Sequence, residues 1–543
     1  MRHAWVVGSL LAVGLLSAPR AEACGGFFCS QTPINQAGER IVFGVNGNQT
    51  EAHIQIQYQG AAEKFAWVVP VQARPTLSIG SARLFSFLDQ VTQPRFQLQW
   101  ENSCEPFWPR GDFFDSAPPS PSESPTAGGG VQVVSREDVG PYDAVILTAQ
   151  DAKELRTWLT TNGYDIPVST TQALEPYVGS TYYFVALKLQ QNKGVGDLKP
   201  LVVKFEGTRP CVPIRLTAIA AQPDMPIIAY VLSNHRAVPM NYRHVLINPT
   251  RVNWLMGGIN YPQVATAAVD EAEGHAFLTE FAGRSASVAQ GFSFRAEGFD
   301  TAALAQYSHP VDFFNAMLGQ PFSGDSTVLG LLRVYIPMPA SLVKQGVTET
   351  QFYNDLSSYR TAINSDPGRA PFDAQGFAQA LESQVVQPIK DSAVLLNSHA
   401  YLTRLYTTMS AEEMTVDPDF DLNSDAPDVS NTFTAKAHFE DCSSDYLSRK
   451  VRIELPDGRY FFAHYSQPFT QGPNAQRVEQ YSEVGAPALI QDNGPAILSA
   501  LRDQGGGIAG ACGCGATEPG SAAALTALVW GAWSVRRRRA RME

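Results

Sequence analysis

The chain has 543 residues, 44% of them hydrophobic and 17% charged, with a formal net charge of −12. This composition fits a packed globular protein and excludes a disordered one; at ~150 residues per domain it leaves room for about two to four folded units. The acidic balance supplies no basic footprint for phosphates, so nucleic-acid binding is excluded as a function class.

Residues 1–23 have the three parts of a secretory signal: Arg2 and His3, an apolar stretch over 4–16, and a small-residue cleavage site at Ala21-Glu22-Ala23. Signal peptidase is therefore an expected partner, and Cys24 the expected first mature residue. A lipid on Cys24 competes with an ordinary cut followed by a disulfide-forming cysteine. The ordinary cut is preferred, because Ala21 stands where lipidation favours a large aliphatic residue.

From residue 41 to 100 the pattern is mostly strand. Ala52, Ile54, Ile56 and Tyr58 alternate with His53, Gln55 and Gln57, and Phe96, Leu98 and Trp100 alternate with Gln97 and Gln99. That period puts one face on a core and the other in water. Residues 64–70 read as a more buried strand ended by Pro70, and Ser81 opens a helix with Leu84, Leu88 and Val91 on one stripe. Residues 116–130, rich in proline, serine and glycine, read as a long loop. A buried strand over 143–147 precedes a capping box at Thr148-Ala-Gln-Asp151, and Leu155, Trp158 and Leu159 face the helix that follows, which Asn162-Gly163 ends. Strands are expected at 182–189, 201–205, 214–218 and 227–232, with few crossover helices between them and hence mostly antiparallel.

Helices dominate from about 261 to 398. Thr348 opens the clearest, with Phe352, Leu356, Tyr359 and Ile363 on one face, and Phe377, Leu381 and Val385 form a second stripe that Pro388 is expected to stop. Strands return over 433–439, 451–455 and 460–464, the last two joined by the turn Pro456-Asp457-Gly458. The fold class expected is α+β, a mostly antiparallel sheet with a helical insertion or second lobe.

The cysteines ahead of the C-terminal tail are Cys24, Cys29, Cys104, Cys211 and Cys442. In an oxidising compartment they should pair, and an odd number leaves one over. Cys24 and Cys29 flank a Gly-Gly-Phe-Phe loop able to close on itself, and suit a structural bridge better than a redox pair, which normally has two intervening residues. The partners stay open.

The tail runs Gly505-Gly506-Gly507, then Cys512-Gly513-Cys514-Gly515, then an apolar run over 522–535, then Arg536 to Arg539. The run is shorter than the about 20 residues a spanning helix needs, and the arginines place that end on the cytoplasmic side. A plain membrane anchor is one reading. The order of parts also resembles the myxobacterial C-terminal sorting tail, and that resemblance implies cutting by an intramembrane sorting protease, modification at Cys512 or Cys514, and retention at the outer membrane or cell surface. The body resembles the bacterial family catalogued as domain of unknown function 2330. The segments that carry it are Cys24-Gly-Gly-Phe-Phe-Cys29, Glu51-Ala-His-Ile-Gln-Ile-Gln57, Phe65-Ala-Trp-Val-Val-Pro70, Gly140-Pro-Tyr-Asp-Ala144 and Asp428-Val-Ser-Asn431. That resemblance implies a secreted or envelope location and no particular catalysis.

Hydrolase, zinc-helix and phosphate-loop signatures are absent from the sequence. His235 and His244, with Arg236 and Arg243 beside them, could be a metal pair or part of an envelope hydrolase site, although scattered histidines are more often hydrogen-bonded surface residues. Asp419, Asp421, Asn423 and Asp425 recur at every second position, as oxygen ligands do in calcium loops. No glycine supplies the sharp turn, and Ser430 stands where a closing glutamate would be, so a solvated turn is the default. The first expectation for function is a non-enzymatic surface protein with a binding or structural role. An envelope hydrolase with an unrecognised site and a calcium-stabilised adhesin-like module are the alternatives.

Overall fold

The computed structural model describes residues 35–59, 66–102, 104, 132–164, 170–179, 182–190, 198–368, 370–442 and 445–509. The signal with Ala21 and Ala23, Cys24, Cys29, the 116–130 excursion, and the tail with Cys512 and Cys514 lie outside the described residues. Among the described residues no helix is long and apolar enough to cross a membrane.

The first described elements are a long hairpin, β1 (Asn35–Asn46) and β2 (Gln49–Gln59), turned at Gly47, whose φ of 59° suits a residue without Cβ. β3 (Ala66–Val71), β4 (Thr76–Ile79), α1 (Ala82–Thr92) and β5 (Arg95–Trp100) follow. Ser81 caps α1 by accepting from the Arg83 amide, and Leu84, Phe85 and Leu88 are buried. Pro70 lies within β3 rather than after it. That is tolerated because β3 is the edge strand of its sheet, where a missing N–H breaks no ladder.

Next come β6 (Gln132–Val139), β7 (Tyr142–Thr148) and α2 (Ala152–Thr161). The residue that caps α2 is Asp151, not Thr148. Thr148 is still paired with Gln132, whereas the Asp151 carboxylate accepts from the amides of Lys153 and Glu154 at 2.8 and 3.0 Å. After α3 (Thr170–Leu174), β8 (Tyr183–Leu189) and β9 (Leu201–Glu206), the strand expected at 214–218 is a single helical turn, α4 (Ile214–Thr217). The Ala218 amide returns to the Ile214 carbonyl at 2.8 Å, so local bonding takes the groups a sheet neighbour would have used.

β10 (Met225–Ser233), β11 (Arg236–Pro239), β12 (Arg243–Ile247), α5 (Tyr261–Glu271) and β13 (Ala276–Arg284) lead into the helical stretch. β13 interrupts the region expected to be helical. The helices are α6 (Ala286–Arg295), α7 (Pro310–Leu318), α8 (Ser326–Tyr335), α9 (Ala340–Lys344), α10 (Glu349–Asn354), α11 (Arg360–Asn364), α12 (Ala374–Leu381) and α13 (Gln387–Asn397). Thr348 and Gln351 form a reciprocal capping box, but the stripe from Phe352 to Ile363 is not one helix. Asp355, at φ −147°, breaks it into α10, a 3-10 turn and α11. Pro388 does not stop the chain's helix either. It sits in the first turn of α13, behind a π turn over Glu382–Val386.

The chain finishes with β14 (Tyr401–Met409), β15 (Phe420–Asn423), β16 (Thr432–Phe439), β17 (Val451–Glu454), β18 (Arg459–Ala463), β19 (Ala475–Gln480), β20 (Ala488–Asp492), α14 (Gly494–Asp503) and β21 (Gly507–Ile508). The architecture is α+β with mostly antiparallel pairing. A ten-stranded sheet runs β20-β19-β12-β13-β14-β10-β1-β2-β9-β4, and parallel neighbours occur at β1 with β10 and at β12 with β13. One face carries the helical layer through Val42, Tyr230, Phe313, Phe377 and Leu396. The other faces the four-stranded sheet β3-β8-β7-β6 through Ile41, Phe43, Trp67, Val69 and Val203. β5 joins the C-terminal sheet β21-β18-β17-β16-β5, in parallel with β16, and Cys104 and Cys442 form a disulfide just beyond these two strands.

A charged group holds the helical layer to the large sheet. Arg404 of β14 is only 5% exposed; its guanidinium donates to Glu280 of β13, to the Tyr230 hydroxyl of β10 (2.7 Å) and to Asp89 of α1 (2.8 Å). Tyr261 donates to the second oxygen of Glu280 at 2.7 Å, and Arg40 of β1 pairs with Asp89 at 2.8 Å. Arg404→Met removes the only cation bonded to Glu280 among the described residues and should destabilise the fold by about 3–5 kcal/mol, read as a lowered urea midpoint. A shift under about 1 kcal/mol would show that water or relaxation compensates the buried carboxylates.

Candidate ligand-binding cleft

Strand alternation builds a cleft between the two stacked sheets. Its floor is the inner face of β1, β2 and β9 (Ile41, Phe43, Ala52, Ile54, Val203, Phe205), and its roof is the end of β3 (Val69 to Val71). The enclosed space is narrow, about 50 Å³, and its lining is mainly apolar. Polar groups gather on one side: Gln72, Tyr177, Tyr182, Arg209, Cys211 and Asp417.

These polar groups are held in place by bonds to the protein. Asp417 accepts from the Tyr177 hydroxyl and, at 3.0 Å, from the Arg215 amide; burial raises its pKa against the pull of both. Burial, followed by the neighbouring Asp417, pushes the Tyr177 phenol far above its ordinary range. Burial, followed by Asp417 and Asp419, also raises the Cys211 thiol, so it stays protonated and is a poor nucleophile. Cys211 forms no disulfide among the described residues. Arg209 closes the side of the cleft by pairing with Asp421 at 2.8 Å and with Glu483. Nothing in the spacing of these residues announced the cleft. Only the alternation along β2 hinted that one face would be apolar.

The aspartate-rich segment is extended. Asp421 and Asn423 alternate along β15, and Asp419, just before it, makes an isolated bridge with Cys211. Asn423 is buried, donates to the carbonyls of Ser482 (2.8 Å) and Gly485 (3.0 Å), and accepts from the amides of Asp425 and Ala426. Asp425 accepts from the Gly485 amide at 2.8 Å. Among the described residues no group of three or more His, Cys, Asp or Glu is placed to hold a metal ion.

The histidine pair separates. His235 is exposed between β10 and β11, whereas His244 is 2% exposed. His244 Nε2 lies 3.1 Å from Thr279 Oγ1, and Nδ1 lies 3.4 Å from a Glu479 carboxylate oxygen. Arg236 donates to Thr279 Oγ1 at 2.9 Å, so the threonine's own hydrogen is free for Nε2, and Nδ1–H then points to Glu479. Arg236 also donates to the Pro427 carbonyl at 2.8 Å, which pins the segment after β15 over this group. Burial pushes the His244 imidazole below its ordinary 6.5, against the pull of Glu479. The unfolded chain therefore binds a proton that the folded chain resists, and His244 contributes a loss of stability as pH falls through about 6.5. The urea midpoint should drop less between about pH 7.5 and 5.5 for His244→Gln than for the native chain. Equal drops would remove His244 as the source.

The chain's residues 18–307 match the family described as an uncharacterised protein conserved in bacteria, domain of unknown function 2330. The segment Asp428-Val-Ser-Asn431 lies beyond that span. No curated protein and no solved structure matches the chain.

Proposed function

Because the chain belongs to this family of uncharacterised bacterial proteins, kinship brings it no activity, and we propose from its own residues an exported, envelope-attached protein that holds an apolar ligand without chemical change. The cleft between the two sheets carries the proposal. Its walls are aliphatic and aromatic, and its polar side offers a protonated thiol and a tyrosine–aspartate pair rather than a free charge. Such a lining favours an apolar molecule with one hydrogen-bonding group. The secretory pattern ending at Ala23, and the tail with its short apolar run and arginines, support export and retention. Cys512 or Cys514 would be the point of attachment after cutting by a sorting protease.

Mass spectrometry of the chain extracted from native envelopes tests both halves. Under denaturing conditions it should begin at Cys24 and lack the arginine cluster. Under native conditions it should carry a small apolar molecule that a large excess of fatty acid displaces. An untrimmed cytosolic chain removes the export half. A mature chain that carries nothing and takes up no fatty acid removes the binding half.

One observation favours hydrolysis as a second reading: the relay from the Thr279 hydroxyl through His244 to Glu479 has the order of groups that activates a hydroxyl nucleophile. Fluorophosphonate labelling of the native chain that disappears in Thr279→Ala would support it. An unlabelled native chain leaves the relay as a buried network that fixes the segment after β15.

A further inference from the structure

The opposite face of the same three strands carries a second recess with different chemistry. In the sheet register Gly44 of β1 stands opposite Glu51 of β2, and Glu51 opposite Lys204 of β9, so the three form one row across the sheet. Their neighbours Phe43, Ala52 and Val203 point the other way, into the apolar cleft. Above the row lies the end of α13, and between them is a space of about 290 Å³ lined by Gly44, Glu51, Lys204, Asp391, Ser398 and His399 among others.

His399 is 7% exposed, and one of its nitrogens has no partner among the described residues. Nδ1 lies 2.8 Å from the Leu395 carbonyl, which can only accept, so Nδ1 carries the hydrogen. Nε2 is then a bare acceptor, buried and without a hydrogen bond from any described residue. The ring edge lies over Gly44: a Cβ there would come 3.1 Å from Cε1 and 3.5 Å from Nε2 of His399, and 2.5 Å from Leu395 Cδ1. Glycine at 44 is what lets the ring reach the floor of the recess. An unpaired acceptor inside a polar recess asks for a donor from outside.

The surrounding charge says which donor. Burial opposes ionisation of Glu51, but hydrogen bonds and charge from His53 and Lys204 outweigh it and hold its pKa at about 2, so Glu51 is anionic. Asp391 is exposed at the rim, and the carbonyl end of α13 adds partial negative charge. Lys204 is the cation lining the row, and it is already paired with Glu51 at 2.9 Å. We propose that this recess binds a small ligand through a primary ammonium group, which donates to His399 Nε2 and faces Glu51 and Asp391. An amino sugar has this chemistry.

Calorimetry on the full chain tests the proposal with glucosamine as the probe and N-acetylglucosamine, which keeps the hydroxyls but lacks the cation, as the control. Glucosamine should bind, and the acetylated sugar should bind at least about tenfold more weakly. His399→Phe keeps the ring's bulk and removes the acceptor, and should weaken glucosamine by about tenfold or more. Asp391→Asn, at an exposed rim position, should weaken it in the same direction without threatening the fold. No binding of glucosamine, equal binding of the two sugars, or glucosamine binding unchanged in both variants would overturn the proposal.

Discussion

A guanidinium with almost no contact with water is the constraint around which the large sheet and its helical layer are organised. Arg404 stands at the middle of β14, directly across from Tyr230 and against the bulge of β13 where Glu280 turns inward. Its bonds reach two neighbouring strands and α1, so sheet register and helix position are set by the same atoms. Apolar packing alone would let α1 slide along the sheet, since dispersion contacts have little direction. Carboxylates that must meet one planar cation do not tolerate such sliding, because a buried charge left unpaired is expensive. Both recesses lie on β1, β2 and β9, on the far side of β10, and inherit their geometry from this register.

The two recesses show how much chemistry one set of strands can divide. Because side chains alternate, Ile41 and Phe43 face one space while Gly44, between Phe43 and Val45, faces the other. One side became mainly apolar; the other kept an ion pair and an imidazole nitrogen with no hydrogen bond among the described residues. No backbone change separates them, only the pleat.

Strand existence was well marked in the sequence, and strand partnership was not. The alternation in β2 and β5, the helix opened by Ser81, and the turn at Gly458 all followed from local periodicity and capping, which the chain carries within a few residues. The failures were local competitions that tertiary contacts decided. Residues 214–218 had a strand's composition but closed a helical turn through the bond from the Ala218 amide to Ile214, and Pro388 sits in a helical first turn behind a π turn. β13 was hidden inside a helix-rich stretch, where Ala276 to Leu278 read equally well as a buried helix face. The sites were less legible still. Cys211 meets Asp417, His244 meets Glu479, and His399 meets Gly44 only across separations of hundreds of residues, and no spacing rule spans that distance. His244 was singled out with the wrong partner, His235, because nearness along the chain was the only distance the sequence offered.

The strand order also bears on how the protein is made. A ribosome supplies β1 and β2 first, but the strand on the other side of β1 spans residues 225–233, and the next one out spans 401–409. β5 waits longer, for a parallel partner at residues 432–437. For most of synthesis the sheet therefore has open edges and no closed core, a state prone to stray pairing and one that chaperones recognise. A chain that cannot lock early is also one that can still be threaded in extended form through a narrow pore. The match to its family ends at residue 307, before β14 and the arginine at its centre.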